Sequence, residues 1–175
     1  MELARVTFIL GGARSGKSRY AEALVAGFGL DKLYLATGQA FDPEMRERIA
    51  RHKAQRGDGW TTVEEPILLP ARLSEIAGPG KIVLVDCLTL WLSNLMLGDL
   101  DIEKAVAELE AVIPRLNGPV VFVSNEVGMG IVPENALARR FRDEQGRLNQ
   151  RIAALSQRAV FMAAGLPLVL KDTTS

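Results

Sequence analysis

The chain has 175 residues, enough for a substantial core, and the simplest organisation is a single domain over 1–175. Its 21 Lys and Arg equal its 21 Asp and Glu, so no basic excess draws it to nucleic acid or to anionic lipid. One cysteine, Cys87, rules out an internal disulfide framework and suits a reducing compartment.

The first apolar run, Val6–Leu10, reads as a strand. It is followed by Gly11-Gly12-Ala13-Arg14-Ser15-Gly16-Lys17-Ser18 and then by a helical pattern over Lys17–Ala26. Strand, glycine-rich loop and helix are the setting in which GxxxxGK[ST] cradles a triphosphate. Glycines let successive backbone N–H groups turn inward onto phosphate oxygens, and the helix N-terminus adds positive potential. Lys17 is placed to reach the β/γ oxygens, and the Ser18 hydroxyl to serve Mg²⁺.

Further along, strands are expected at Lys32–Ala36, weakly at Trp60–Val63, and at Lys81–Val85 and Val120–Ser124. The pair Ala159–Ala163 and Pro167–Leu170 reads as a hairpin ending in an antiparallel edge strand. Helices are expected at Pro43–Gln55, Leu88–Met96, Ile102–Leu116 and Glu134–Gln157, the last with a bend near Gly146. This alternation predicts an α/β fold with a mainly parallel sheet, whose ligands gather at the carboxyl ends of the strands.

The residues that follow each strand are therefore the ones to weigh for chemistry. Ile82-Val83-Leu84-Val85-Asp86 is an apolar strand ending in a carboxylate, which downstream of a phosphate loop points to Mg²⁺, held directly or through water. Cys87 stands where hydrolytic motor ATPases often carry Glu, and the guanine-selecting Asn-Lys-x-Asp of signalling GTPases is missing. Asp42 and Pro43 read as a helix start, and Met45, Ile49 and His52 share one face of that helix. His52 is the only histidine. Spacing alone leaves two readings open: a packed imidazole, or a nucleophile for an α-phosphate among Arg48, Arg51, Lys53 and Arg56. Ser124-Asn125-Glu126 sits at another strand end, before a loop with Gly128 and Gly130 and a helix bearing Arg139, Arg140, Arg142 and Asp143. These are either substrate contacts or a connecting loop and a solvated face. Glu126 is a candidate base for an attacking hydroxyl.

Taken together, Gly11–Ser18, Ala36-Thr37-Gly38-Gln39, Arg48-Ile49-Ala50-Arg51-His52-Lys53, Asn125-Glu126-Val127-Gly128-Met129-Gly130-Ile131-Val132-Pro133, Phe141-Arg142-Asp143 and Gly146-Arg147-Leu148-Asn149-Gln150 form an ordered set. The chain resembles the bifunctional adenosylcobinamide kinase/adenosylcobinamide-phosphate guanylyltransferases of cobalamin biosynthesis, over nearly its whole length. The resemblance implies a P-loop NTPase fold with a RecA-like, mainly parallel sheet, and a homotrimer. It implies phosphorylation of the aminopropanol hydroxyl of adenosylcobinamide by ATP or GTP. GMP then passes from GTP, through a histidine, to adenosylcobinamide phosphate, giving adenosylcobinamide-GDP and pyrophosphate.

By position, the resemblance makes His52 the guanylylated residue. Gly11, Gly12, Ala13, Arg14, Ser15, Gly16, Lys17 and Ser18 become the triphosphate cradle, and Asp86 and Ser18 the Mg²⁺ residues. Ala36, Thr37, Gly38, Lys53, Ala54, Gln55, Arg56 and Glu64 fall near the nucleotide. Some relatives carry two adjacent histidines where this chain has Arg51-His52. Two competing readings remain at this level: a single-activity P-loop kinase with a structural His52, and a non-catalytic nucleotide-binding module.

Met1-Glu2-Leu3-Ala4-Arg5 lacks the pattern of a signal peptide, and the most apolar window, Ile82–Leu97, is short and interrupted by Asp86, Ser93 and Asn94. A soluble, cytoplasmic protein without membrane insertion or a nucleic-acid partner is the expectation.

Overall fold

A computed structural model describes residues 3–39, 43, 46, 47, 50, 54 and 56–174. Seven strands form one sheet in the order β3-β2-β4-β5-β1-β6-β7. They are β1 (Val6–Gly11), β2 (Asp31–Ala36), β3 (Trp60–Glu64), β4 (Lys81–Asp86), β5 (Val120–Asn125), β6 (Arg158–Ala163) and β7 (Leu166–Asp172). All neighbouring pairs are parallel except β6–β7, so the mixed α/β architecture with an antiparallel last strand is as the sequence predicts.

The central strands are apolar at almost every position because both of their faces are covered. Side chains alternate across the pleat. Val6, Phe8, Leu33, Leu35, Val83, Val85, Val120 and Phe122 join the core on one face. Ile9, Tyr34, Ile82, Leu84, Val121 and Val123 join the core on the other. The first face is covered by α2 (Leu69–Ile76), α3 (Leu88–Leu97), α4 (Ile102–Val112) and α5 (Ala136–Leu155), and the second by α1 (Lys17–Ala26).

Differences from the expected elements have local causes. Helix α2 has no counterpart among them: its Pro70 occupies the first turn, where a missing N–H costs nothing. Helix α4 stops at Val112 and gives way to a 3-10 turn over Ile113–Arg115, because Pro114 cannot donate to the ladder. Helix α5 starts two residues late, at the point where the Asn135 side chain accepts from the Ala138 amide at 3.1 Å, and runs unbroken through Gly146. In the expected helix Pro43–Gln55, the described positions 43, 46, 47, 50 and 54 are helical, as is position 56 beyond it. Asp42, Met45, Arg48, Ile49, Arg51, His52, Lys53 and Gln55 lie outside the described residues.

The last hairpin closes on Ala164-Gly165, both with positive φ (51° and 78°), the two-residue turn whose twist matches paired strands. No helix among the described residues is long and apolar enough to cross a membrane.

Candidate functional site

Register brings the candidate residues to one edge of the sheet. Gly11, at the end of β1, pairs with Asn125 on one side and Met162 on the other. Ala36, at the end of β2, pairs with both Glu64 and Asp86. The phosphate loop, Asp86, Asn125–Glu126, Ala36–Gly38 and Glu64 therefore share the carboxyl edge. Glu64 sits on β3, four strands from β1, or about 19 Å at the usual strand spacing. Ala54 is exposed and Arg56 half-buried, whereas His52, Lys53 and Gln55 are outside the described residues.

The phosphate loop is shaped by two different steric limits. A Cβ on Gly11 would lie 2.5 Å from Ser15 Oγ and 2.7 Å from the Met162 carbonyl oxygen, so only glycine fits between the loop and β6. A Cβ on Gly12 would meet nothing within 4 Å, which leaves the hollow of the loop open. Arg14 and Gly16 adopt positive φ (55° and 93°), the alternation that turns backbone amides to one side. Gly16 caps α1, and Lys17 Nζ donates to the Gly12 carbonyl at 3.0 Å, folding back across the hollow. Ser15 Oγ is buried without a hydrogen-bond partner. An orphaned hydroxyl inside an amide-lined hollow fits a ligand with several acceptor oxygens. The loop is braced from outside: the Gly165 amide donates to Ser15 O at 2.9 Å, and the Glu126 amide to Gly11 O at 3.0 Å.

Asp86 is half-buried, and its Oδ2 accepts from the Tyr34 hydroxyl at 3.0 Å. Burial and the Asp86 charge push the Tyr34 phenol far up, so it stays a donor. The Arg56 guanidinium stacks 3.4 Å from the centre of the Tyr34 ring. Glu22 on α1 belongs to the same group: burial raises its carboxyl, Arg56 lowers it and Asp86 raises it again. No group of three or more His, Cys, Asp or Glu side chains among the described residues could hold a metal alone. Asp86 at the end of β4 and Ser18 in the first turn of α1 are donors of the kind that would suit Mg²⁺ completed by substrate phosphates and water.

Beyond Asp86 the chain turns through a cis peptide to Cys87, whose sulfur caps α3 by accepting from the Leu90 amide at 3.4 Å. Thr37 is buried, donates to the Cys87 carbonyl at 2.6 Å and accepts from the Cys87 amide at 2.9 Å. Asn94 Nδ2 donates to Thr37 O at 2.7 Å and to Pro66 O at 3.0 Å, tying the loops after β2 and β3 to α3.

A second polar layer supports the end of β5. Ser124 Oγ donates to Asn149 Oδ1 at 2.7 Å, and Gln145 Nε2 donates to both Ser124 Oγ (3.0 Å) and Asn149 Oδ1 (2.9 Å). Asn149 Nδ2 donates to Asn125 O at 3.1 Å, and the Asn125 amide to Thr89 Oγ1 at 2.8 Å. The Glu126 carboxylate accepts from the Gly128 amide. Sequence reasoning misses Tyr34, Thr89, Asn94 and Gln145, and reaches Asn149 only within its motif. The available signal is a polar residue on an otherwise apolar strand or helix face. Arg139 and Arg140 are both exposed, and Arg139 Nη1 donates to Pro133 O at 2.9 Å, holding the loop to α5.

Residues 7–170 match the family described as cobinamide kinase / cobinamide phosphate guanyltransferase. The chain is 52% identical to the bifunctional adenosylcobalamin biosynthesis protein CobP of Pseudomonas aeruginosa, covering 93% of this chain and 95% of that protein. It is 42% identical to the bifunctional adenosylcobalamin biosynthesis protein CobU of Escherichia coli K12, covering 93% and 98%. Among solved structures it resembles the flagellar accessory protein FlaH of Methanocaldococcus jannaschii (TM-score 0.52, 11% identity, 96% of this chain and 78% of that one). It also resembles a solved ATPase domain (TM-score 0.51, 13% identity, 97% and 77%). These two likenesses show the fold, an α/β unit around a mainly parallel sheet.

Proposed function

This chain belongs to the cobinamide kinase / cobinamide phosphate guanyltransferase family, and on that premise we propose that it performs both reactions on one phosphate loop, the second through His52. What supports the reading is the amide-lined hollow around Gly12 and Ser15, at the same sheet edge as Asp86, in a chain that its bifunctional relatives match nearly end to end.

In the first reaction the aminopropanol hydroxyl of adenosylcobinamide attacks the γ-phosphorus of ATP or GTP, and the nucleoside diphosphate leaves. Gly11–Ser18 bind the triphosphate, Lys17 moves from the Gly12 carbonyl onto the β/γ oxygens, and Glu126 at the neighbouring strand end accepts the hydroxyl proton. In the second, an imidazole nitrogen of His52 attacks the α-phosphorus of GTP, and pyrophosphate leaves. A phosphate oxygen of the phosphorylated corrinoid then displaces the imidazole from that phosphorus. Ser18 and Asp86 would hold Mg²⁺, which when bound neutralises charge on the phosphate oxygens.

Ala36, Thr37, Gly38, Lys53, Ala54, Gln55, Arg56 and Glu64 form the nucleotide's further surroundings. Thr37 acts there by holding the loop in shape, since its hydroxyl is held by Cys87, its amide donates to Asp86 O at 3.3 Å and its carbonyl accepts from Asn94. The whole of 1–175 works as one catalytic domain in the cytoplasm. The chain assembles as a homotrimer, a reading supported by the exposed Leu166, Leu168 and Leu170 on edge strand β7.

The test is to supply adenosylcobinamide, Mg²⁺ and GTP and to resolve the corrinoid products by mass. Both a phosphorylated and a GDP-bearing corrinoid are expected, in that order of appearance. Accumulation of the phosphorylated corrinoid alone would reduce the protein to a kinase with a structural His52.

A further inference from the structure

We infer that Tyr34 is a positioning residue that sets the orientation of the Asp86 carboxylate, and that Arg56 clamps Tyr34 in that role. The inference rests on the assignment of Asp86 to Mg²⁺ made above. Tyr34 and Asp86 stand on adjacent strands, with Tyr34 opposite Leu84 and Asp86 two residues further along, opposite Ala36. A tyrosine at this place reaches along the sheet so that its ring packs in the apolar core while its oxygen meets the carboxylate at 3.0 Å. An aspartate alone at a strand end turns about its last bond and presents either oxygen. The phenol donates to Oδ2, which fixes the carboxylate plane before any ligand arrives. Partners of this kind around metal ligands are typically worth about 10- to 100-fold in metal affinity.

The ring is itself held. The Arg56 guanidinium lies over it at 3.4 Å, and Trp60 meets it edge-on with centroids 6.2 Å apart. Arg56 thus reaches the Asp86 carboxylate through the Tyr34 ring.

The test measures Mn²⁺ binding, by electron paramagnetic resonance titration, to the protein loaded with a non-hydrolysable GTP analogue. Wild type is compared with Tyr34→Phe, Arg56→Gln and Asp86→Asn. Tyr34→Phe keeps the ring and the stack and removes one hydroxyl, so about a tenfold weaker Mn²⁺ Kd is expected, with analogue affinity in the absence of metal unchanged. Arg56→Gln, titrated at saturating analogue because Arg56 is also placed beside the nucleotide, is expected to weaken Mn²⁺ severalfold. It carries the test if Tyr34→Phe melts markedly below wild type. Wild-type Mn²⁺ affinity in both variants, with Asp86→Asn strongly impaired, would overturn the inference and leave the Asp86 assignment standing. Wild-type affinity in Asp86→Asn would instead remove the assignment on which the inference rests.

Discussion

The amide of Gly165, at the tip of the last hairpin, donates to the carbonyl of Ser15 in the phosphate loop at 2.9 Å. The hollow proposed to receive phosphate is thus held from outside by a turn 150 residues further along the chain. Gly165 has φ of 78°, and a Cβ added to Gly16 would approach its Cα at 3.1 Å. Gly165→Val places a β-branched residue in the left-handed region, at a cost of about 1–2 kcal/mol. Its Cβ would meet only Arg19 Nη2, at 3.8 Å, so relief of that backbone strain is what loosens the turn from Ser15. A lower melting temperature and a severalfold weaker GTP affinity are expected, measured by thermal melts with and without nucleotide.

Gly12 and Gly11 should separate binding from folding. Gly12→Ala adds a methyl group where nothing stands within 4 Å, so the free protein should melt like wild type while GTP no longer raises its melting temperature. Gly11→Ala forces a methyl group against Ser15 Oγ and the Met162 carbonyl and should destabilise the protein whether or not nucleotide is present. The same thermal melts distinguish the two.

Thr37 supports the turn after Asp86 rather than the solvent face. Thr37→Val removes an acceptor from the Cys87 amide and a donor from the Cys87 carbonyl at a fully buried site. The Cys87 carbonyl keeps the Trp91 amide at 3.2 Å, so only the Cys87 amide is left unsatisfied. That costs about 1–3 kcal/mol, read as a shift in the urea midpoint, and Thr37→Ser should recover most of it.

Cys87 gives the protein a limit at alkaline pH. Burial, followed by the Asp86 charge, pushes its thiol up to about 12, well above the ~8.5 of a free cysteine. The folded state therefore holds this proton more tightly than the unfolded chain does. That contribution is complete below the unfolded pKa and is lost as pH rises toward 12. Urea midpoints measured from about pH 8 upward should fall, and fall less steeply in Cys87→Ala. At about pH 8 an aromatic disulfide reagent should leave native Cys87 untouched and react with it in guanidinium.

Local signals make much of the fold legible. Val6–Leu10 before Gly11–Ser18 marks the start of the sheet, and Ala164-Gly165 marks the hairpin that braces the loop. Helix α2 stays hidden because Pro70 reads the same whether it breaks a helix or begins one. The buried polar contacts cannot be read at all. Tyr34 meets Asp86 across 52 positions and Asn94 meets Thr37 across 57, and nothing near Tyr34 or Asn94 in the chain foretells either partner. Gln145 looks like one polar residue among many in a charged helix, yet it is fully buried over Ser124. His52 is legible as the lone histidine, and its role comes from the resemblance rather than from spacing.

The most direct test of the two-reaction account is incubation with Mg²⁺ and GTP labelled on the α-phosphate, comparing wild type with His52→Ala. Acid-labile, base-stable label on the wild-type protein, and none on His52→Ala, is the predicted result. Equal label on both proteins, or none on wild type while γ-phosphate still reaches adenosylcobinamide, would contradict it.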